Sequence, residues 1–451
     1  MRKGADCSSD AWRKHRSSRQ KALPKKANDA VQRSSRGSAS SPAQQSLDSI
    51  VLTIDEKNIY RIGLVARLRE AYLPLGATSS FSKGVKLAQG LAGRSALIEA
   101  ANDGLALLFT GSLHNDTRVL HAARRKHVTT IQLLRFKLEK PQADFDEIMS
   151  AAQVLLASEM FSSHSSGPTA WTSHVTGLLG IVQQYHQQSE TASLFCKYLF
   201  WQLRHICLIH ALVARKVIAF DYSLCWPGEA MWPPDMCERL VQIACCVPGA
   251  LEDVDNLLRP ISPDSGDVNR GLKKLELLQS RFQQWLEEYQ GEDAAQWRYE
   301  DNNAACFTQT TPATSSPARQ IRFGSFESAT YHAFTWSCLL LIKQAMLDVA
   351  QSRDWYPAED FELIGSQADS YAHLLCGSIA YFADMAGGVI SKATALKGAL
   401  HFASQWFEKR GRCDFVQWLS EMERETITDM PFFQWHGALL AYSFLGMVWR
   451  S

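Results

Sequence analysis

Hydrophobic residues recur along this chain at the three- and four-residue spacing that places them on one face of a helix. The pattern is clear after Asp144, where the apolar face comprises Ile148, Met149, Ala152, Leu155 and Leu156. The polar residues Gln153 and Ser158 are expected to lie off that face. The spacing therefore predicts an amphipathic helix that needs other elements to cover one side.

Two more helices are predicted directly after this one. A stretch rich in Ser and Gly at 162–168 ends the first helix, and the spacing returns at Trp171, Val175, Leu178, Leu179 and Val182. Residues 194–213 are apolar nearly all round, which predicts a central helix covered on most sides. Ordering a helix costs roughly 1–2 kcal/mol per residue, whereas a large buried side chain returns about 1.5–3 kcal/mol. One apolar face cannot hold such a helix alone, so we expect the helices to stabilise one another.

The same spacing predicts two helices earlier in the chain. The first ends at Gly111 and carries Leu97, Ile98, Ala101, Leu105 and Leu108. The second is capped by Asn115-Asp116-Thr117, is closed by Lys140-Pro141, and carries Leu120, Ala123, His127, Ile131, Leu134 and Leu138. Both are interpreted as amphipathic helices with these residues on the buried side.

The second half of the chain continues the helical pattern. Two short helices are predicted with a hinge at Pro248-Gly249, and a longer one over 272–289 has Leu275, Leu278, Phe282, Trp285, Leu286 and Tyr289 on one side. Further helices are predicted near 326–349, 368–385, 395–407, 415–426 and 432–449. No strand-like alternation is long enough to build a sheet. The predicted fold is all-α, a large body of packed antiparallel helices.

Composition and charge divide the chain into four parts. Residues 1–49 contain few large apolar residues and are predicted to be a disordered basic arm. The helical body is predicted over 50–290 and 326–451, and the polar residues 291–325 between them are predicted to be a flexible linker or insertion. The formal net charge is +1, but residues 1–36 carry eleven Lys and Arg against three Asp. The remainder of the chain is therefore acidic.

The basic arm is the first candidate for function. Its charged residues include Arg13, Lys14, Arg16, Arg19, Lys21, Lys25 and Lys26. A run of this kind is typical of a nuclear import signal or of a tail that contacts phosphates. A merely solvating tail is an equally weighted reading from the residues alone. Phosphate contacts of this type would give salt-sensitive binding that does not read sequence.

The sequence contains no motif of catalysis or of metal binding that we could find. The eleven cysteines are scattered through apolar stretches, as expected for small buried side chains in a reducing compartment. His205 and His210 are five apart, which is not the four-residue spacing of a metal pair on a helix. His174 beside Trp171 is read as a packed histidine rather than a base. We expect no enzyme activity, no cofactor and no metal. No uninterrupted apolar run reaches the length of a membrane span, and we expect no membrane contact.

One stretch resembles a known family. A Met-Phe pair, a gap rich in Ser and Gly, and then Trp171-Thr-Ser-His174-Val-Thr-Gly177-Leu-Leu are similar to the heart of the fungus-specific transcription factor regulatory domain, the helical region of fungal zinc-cluster regulators. The resemblance extends from about Ile62 to the C-terminus, and it gives structural roles to Trp226, Pro248 and Trp285. His127 departs from the aromatic residue that this family usually has there.

The resemblance implies a nuclear regulator of a pathway-specific gene set, such as a secondary-metabolite cluster. Family members read DNA through a six-cysteine zinc cluster, but here only Cys7 precedes Cys196, so direct base reading is not carried over. The implied partners are the transcription machinery or a DNA-binding partner protein, with weak DNA contacts from the arm. Homodimers and heterodimers both stay open. The alternative prediction is a cytoplasmic helical adaptor or scaffold that is unrelated to transcription.

Overall fold

Most of the predicted helical runs appear as helices in the computed structural model of this chain. It describes residues 63, 66, 95–140, 144–159, 176–181, 204, 207–218, 236–259, 265–290, 297–299, 319–353, 358–384 and 389–427, all within the unit Asp55–Ser451. These residues are almost entirely helical, which confirms the all-α prediction. The predicted basic arm and the last predicted helix lie outside the described residues.

The first three helices pack on one another. They are α1 (Ala96–Leu113), α2 (Thr117–Leu138) and α3 (Phe145–Glu159). Helix α1 starts at Ser95, whose hydroxyl accepts a hydrogen bond from the backbone N–H of Ile98 at 3.2 Å. Its five predicted apolar residues are all buried. The prediction from spacing is therefore confirmed for α1, which ends two residues beyond Gly111.

Ser158 was expected off the apolar face of α3 and is nevertheless buried, because its hydroxyl can donate to the carbonyl of Val154 at 2.9 Å and needs no solvent. One expectation about burial in this region is wrong. Ile131 was expected on the buried side of α2 but is 43% exposed. The buried side of α2 is instead centred on Ala123 and Thr130, so Ile131 falls beyond its edge.

The middle of the chain forms α4 (Met236–Cys245), α5 (Val247–Leu257) and α6 (Ser265–Gln290). The break between α4 and α5 lies at Cys246, so the hinge predicted at Pro248-Gly249 is wrong by two residues. Pro248 sits in the first turn of α5, where a helix has no acceptor for a backbone N–H and proline costs nothing. Leu275, Leu278, Phe282, Trp285 and Tyr289 of α6 are buried, as predicted.

A short strand pair was not foreseen. Strands β1 (Trp297–Tyr299) and β2 (Ile321–Phe323) are antiparallel, with Arg298 opposite Arg322. Both strands lie inside 291–325, so the prediction of a flexible segment is wrong at residues 297–299 and 321–323. Residues 300–318 between them lie outside the described residues. Three-residue strands are too short for alternation to be visible in a sequence. Helix α8 approaches this pair so closely that a Cβ on its Gly377 would lie 2.5 Å from the carbonyl oxygen of Arg319.

The remaining described helices are α7 (Phe326–Arg353), α8 (Ala358–Asp384), α9 (Val389–Lys409) and α10 (Cys413–Ile427). Helix α7 contacts α4, α5, α6, α8, α9 and β2, and is enclosed by them. By length and composition residues 326–352 could span a bilayer: an 18-residue window within them has a mean hydropathy of 1.3, but 89% of that window is buried against the rest of the protein. That burial is typical of a helix in a protein core.

Candidate functional site

Helix α2 is held to the body by its inner edges. Asp116 caps its first turn, where a carboxylate oxygen accepts from the backbone N–H of Arg118 at 2.9 Å. Lys126 reaches Asp103 of α1 at 3.0 Å, and Lys137 reaches Glu147 of α3 at 2.6 Å. These pairs neutralise the lysines that border α1 and α3. They fix which side of α2 faces away from the protein.

The side that faces away forms an exposed stripe along the whole helix. We define the outer face of α2 as Arg118, His121, Arg124, Arg125, Val128, Ile131, Gln132, Arg135 and Phe136. Its central positions follow one another at three- and four-residue spacing, so they line up along one side of the helix. The outer face is therefore one continuous surface rather than scattered positions.

The outer face is strongly basic. Residues 117–140 carry seven Lys and Arg against one Glu, and no acidic residue lies in the first turn of the helix. Among the described residues no carboxylate pairs with Arg124 or Arg125. Arg135 pairs with Glu139 one turn on, at 3.5 Å, and its side chain is 83% exposed. Such an exposed pair contributes little stability and leaves the surface positive.

Large apolar side chains lie among these charges. Val128, Ile131 and Phe136 are 53%, 43% and 56% exposed. The ammonium of Lys140 lies 4.3 Å from the centre of the Phe136 ring, a cation–π contact. Single exposed apolar residues are ordinary on protein surfaces, but three on one basic face are the composition of a protein-contact surface. The outer face is the candidate functional site.

A surface of opposite charge begins α8. We define the acidic face of α8 as Glu359, Asp360, Glu362, Leu363 and Ser366, all of which are exposed. Leu363 is 57% exposed, and helix α8 contains five Asp and Glu and no Lys or Arg. The first-turn carboxylates also favour the helix itself, since they face the positive end of its dipole. The acidic face thus combines carboxylates with one exposed apolar side chain.

A buried ion pair joins the predicted central helix to α4. The guanidinium of Arg204 donates to both carboxylate oxygens of Glu238, one bond measuring 2.6 Å, and both residues are buried. Burial alone lowers the pKa of Arg204, but the hydrogen bond and charge of Glu238 outweigh it and raise the pKa. Gln242 donates to the same carboxylate at 3.1 Å. The sequence showed only an apolar run here, because the partner lies 34 residues further on.

His332 of α7 is surrounded by aromatic side chains. Its ring centre is 5.5 Å from that of Tyr289, 5.9 Å from Phe323 and 5.4 Å from Trp336. Its Nδ1 donates to the carbonyl of Ser328 at 2.8 Å. Within the described residues its Nε2 has no hydrogen-bond partner. Burial lowers its pKa to about 4, so the imidazole is neutral at physiological pH.

Only some of the residues singled out from the sequence fall in the described part. The seven basic arm residues and Trp171, His174 and Trp226 lie outside it. Gly177 is exposed, and a Cβ there would meet nothing within 4 Å, so packing does not require glycine. Pro248 and Trp285 are buried, and the indole N–H of Trp285 donates to the carbonyl of Met236 at 2.7 Å. The structure therefore brings Trp285 and α4 together.

The spacing of apolar residues does not reveal the outer face of α2, because that spacing indicates buried faces. A count of charged residues along each predicted helix does reveal it. Helix α2 is rich in Lys and Arg, whereas α8 contains neither. The apolar members gave no such signal, because Ile131 was assigned to the core.

No family model, curated protein or solved structure matches this chain. Across the part of the chain that the structure describes, no group of three or more His, Cys, Asp and Glu side chains is arranged to hold a metal ion.

Proposed function

We propose that this protein is a nuclear regulator of a pathway-specific gene set and acts through protein partners. The observation that carries the proposal is the position of Trp285. The resemblance implies a tryptophan near the end of a Leu-rich helix that follows two short helices, and Trp285 closes α6 against the start of α4. The resemblance implies a proline between those short helices, and Pro248 lies at the start of α5.

The surface of the helical body supports contact with other macromolecules. Its buried polar groups are used for packing, as in the Arg204–Glu238 pair, whereas the outer face of α2 leaves arginines and apolar side chains in solvent. A regulator that reaches promoters through a partner protein needs surfaces of this kind. In this proposal Arg13, Lys14, Arg16 and Arg19 direct import and add weak, salt-sensitive contacts to DNA.

Two measurements on one tagged chain test the proposal. Imaging gives the location of the full chain and of a variant in which Arg13, Lys14, Arg16 and Arg19 are changed to Gln. Chromatin immunoprecipitation gives promoter occupancy. We expect the full chain in the nucleus and at a restricted set of promoters, and the arm variant in the cytoplasm and absent from them.

The matched control changes Lys273 and Arg281 to Gln. Both are exposed on α6, away from the arm in sequence, and should leave location and occupancy unchanged. A full chain that stays in the cytoplasm and occupies no promoter, with or without a DNA-binding partner, contradicts the proposal. That result would favour the helical adaptor.

A further inference from the structure

We propose that the outer face of α2 docks on the acidic face of α8 of a second copy of this chain. The inference does not depend on the proposed function. It rests on two exposed helix faces of opposite charge, the outer face of α2 with three apolar side chains and the acidic face of α8 with one. The ion pairs that hold α2 to the body, Lys126–Asp103 and Lys137–Glu147, lie on its inner edges and not on its outer face.

The two faces match in spacing as well as in charge. On α2 the arginines at 124 and 125 precede Val128 by one turn, and on α8 Glu359 precedes Leu363 by one turn. When the two helices lie parallel, a register that sets Val128 against Leu363 also sets the arginines against Glu359. Side chains spaced three and four residues apart form the ridges with which helices pack side by side. Charge complementarity of this kind sets partner choice and register.

The apolar residues argue against a nucleic acid as the occupant. A phosphate backbone would attract the arginines, but it has no apolar surface to cover Val128, Ile131 and Phe136, which are all more than 40% exposed. A membrane-surface helix segregates its apolar and basic residues on opposite sides. Here the apolar residues alternate with arginine, and the opposite side of α2 is already packed on α1 and α3. A protein surface with both carboxylates and apolar groups fits best.

The same chain supplies that surface. Helix α8 contains no Lys or Arg, and its exposed start places Glu359 one turn before Leu363 and Glu362 directly before it. Each copy then carries one basic and one acidic face. Two copies can satisfy both faces of each other if the contacts close symmetrically, and a longer assembly forms if they do not. Association should be concentration-dependent and weaker at high salt.

Charge reversal tests the proposal on the full chain. One variant carries Arg124→Glu and Arg125→Glu, which removes the net positive charge of the outer face of α2 and places two carboxylates at its centre. A second carries Glu359→Lys and Glu362→Lys, so that both of its faces are basic. Sedimentation velocity at about 0.05 M and about 0.5 M salt measures association, since salt of the higher concentration screens exposed charges. We expect each variant alone to associate at least about tenfold more weakly than the wild type.

Mixing the two variants should restore association, because each then meets a face of opposite charge. A single chain with all four changes should also associate like the wild type. The matched control, Lys273→Glu with Arg281→Glu, makes the same change in charge on α6 and should not alter association by more than about twofold. Circular dichroism should show every variant folded, with the thermal midpoint unchanged for the Arg124→Glu, Arg125→Glu variant and slightly lowered where Glu359→Lys removes a first-turn carboxylate from α8.

Several results would overturn the proposal. A wild-type chain that is monomeric at every concentration in low salt would do so. So would association that either charge reversal leaves unchanged, or mixed variants that stay apart. Binding of duplex DNA or of anionic vesicles that the Arg124→Glu, Arg125→Glu variant loses, without self-association of the wild type, would assign the outer face of α2 to a different occupant.

Discussion

Helices α2 and α7 place their polar residues in opposite ways. Helix α2 buries only Ala123 and Thr130 below one-tenth exposure and turns its arginines outward. Helix α7 is covered on all sides and buries Ser328, His332 and Lys343 among its apolar residues. The comparison teaches that polar residues on a helix do not by themselves identify its solvent side.

The polar residues of α7 can be buried because the helix satisfies most of them itself. Thr330 donates to the carbonyl of Phe326 at 2.7 Å, and Ser337 donates to that of Ala333 at 2.7 Å. Such bonds to the preceding turn use acceptors that the helix already provides. Arg124 and Arg125 of α2 pair with no carboxylate among the described residues, so they require solvent or a partner.

Removing a large aromatic side chain should give the largest difference in unfolding free energy between the two helices. We expect Trp336→Ala in α7 to lower the free energy of unfolding by about 3–5 kcal/mol, because Trp336 is buried and its loss leaves a cavity. Phe136→Ala on α2 is the matched change at a 56% exposed site and should cost less than about 1 kcal/mol. Urea unfolding of both variants measures the difference. Equal losses would contradict the comparison.

Acid should destabilise α7 through His332. Its pKa is about 4 in the folded protein, below the ordinary 6.5, so the unfolded chain binds the extra proton between these values. Stability is therefore fully present above about pH 6.5 and is lost as pH falls toward 4, by roughly 3 kcal/mol in total. His332→Phe keeps an aromatic ring and should remove this component. Urea unfolding at pH 7.5 and pH 5 should show a smaller change for that variant than for the wild type.

Replacing a lysine with methionine should change the free energy of unfolding in opposite directions at the two helices. Burial lowers the pKa of Lys343 in α7, partly offset by the charge of Glu276, so its ammonium disfavours folding at neutral pH. We expect Lys343→Met to raise the free energy of unfolding by about 1 kcal/mol. Lys126→Met on α2 removes the 3.0 Å contact with Asp103 and should lower it by up to about 1 kcal/mol. A loss of stability in both variants would contradict this account of Lys343.

The smallest effect is expected at the residue that was assigned wrongly. Ile131→Arg should change the free energy of unfolding by less than about 0.5 kcal/mol, because the added charge stays in solvent. Ala123→Arg on the inner side of the same helix should lower it by several kcal/mol, since Ala123 is 2% exposed. A large loss from Ile131→Arg would mean that Ile131 packs in the core after all.

Residue spacing predicted the faces that pack against neighbours along the chain. The apolar stripe predicted on α3 is buried, as is most of the one on α6, although α3 also buries Ser150, Ala151 and Ser158 outside its stripe. Spacing could not find the Arg204–Glu238 pair, whose members are joined only by the fold, or the strand pair, which is too short. It also missed the start of α8, because exposed carboxylates in the first turns interrupt the apolar stripe.

The candidate site is harder to predict from the sequence than the fold is. A charge count would have identified α2 as basic, but the exposure of Val128, Ile131 and Phe136 depends on how far α1 and α3 wrap around the helix. Three-dimensional packing decides that, and the spacing of apolar residues does not. The roles implied by the resemblance for Trp171, His174 and Trp226 stay predictions, because those residues lie outside the described part of the chain.

The most direct test of the outer face measures folding and association in the same samples. For the Arg124→Glu, Arg125→Glu variant we predict a free energy of unfolding within about 0.5 kcal/mol of the wild type and self-association at least about tenfold weaker. A variant that unfolds several kcal/mol more easily while associating as the wild type does would show that these arginines serve the fold and not a partner.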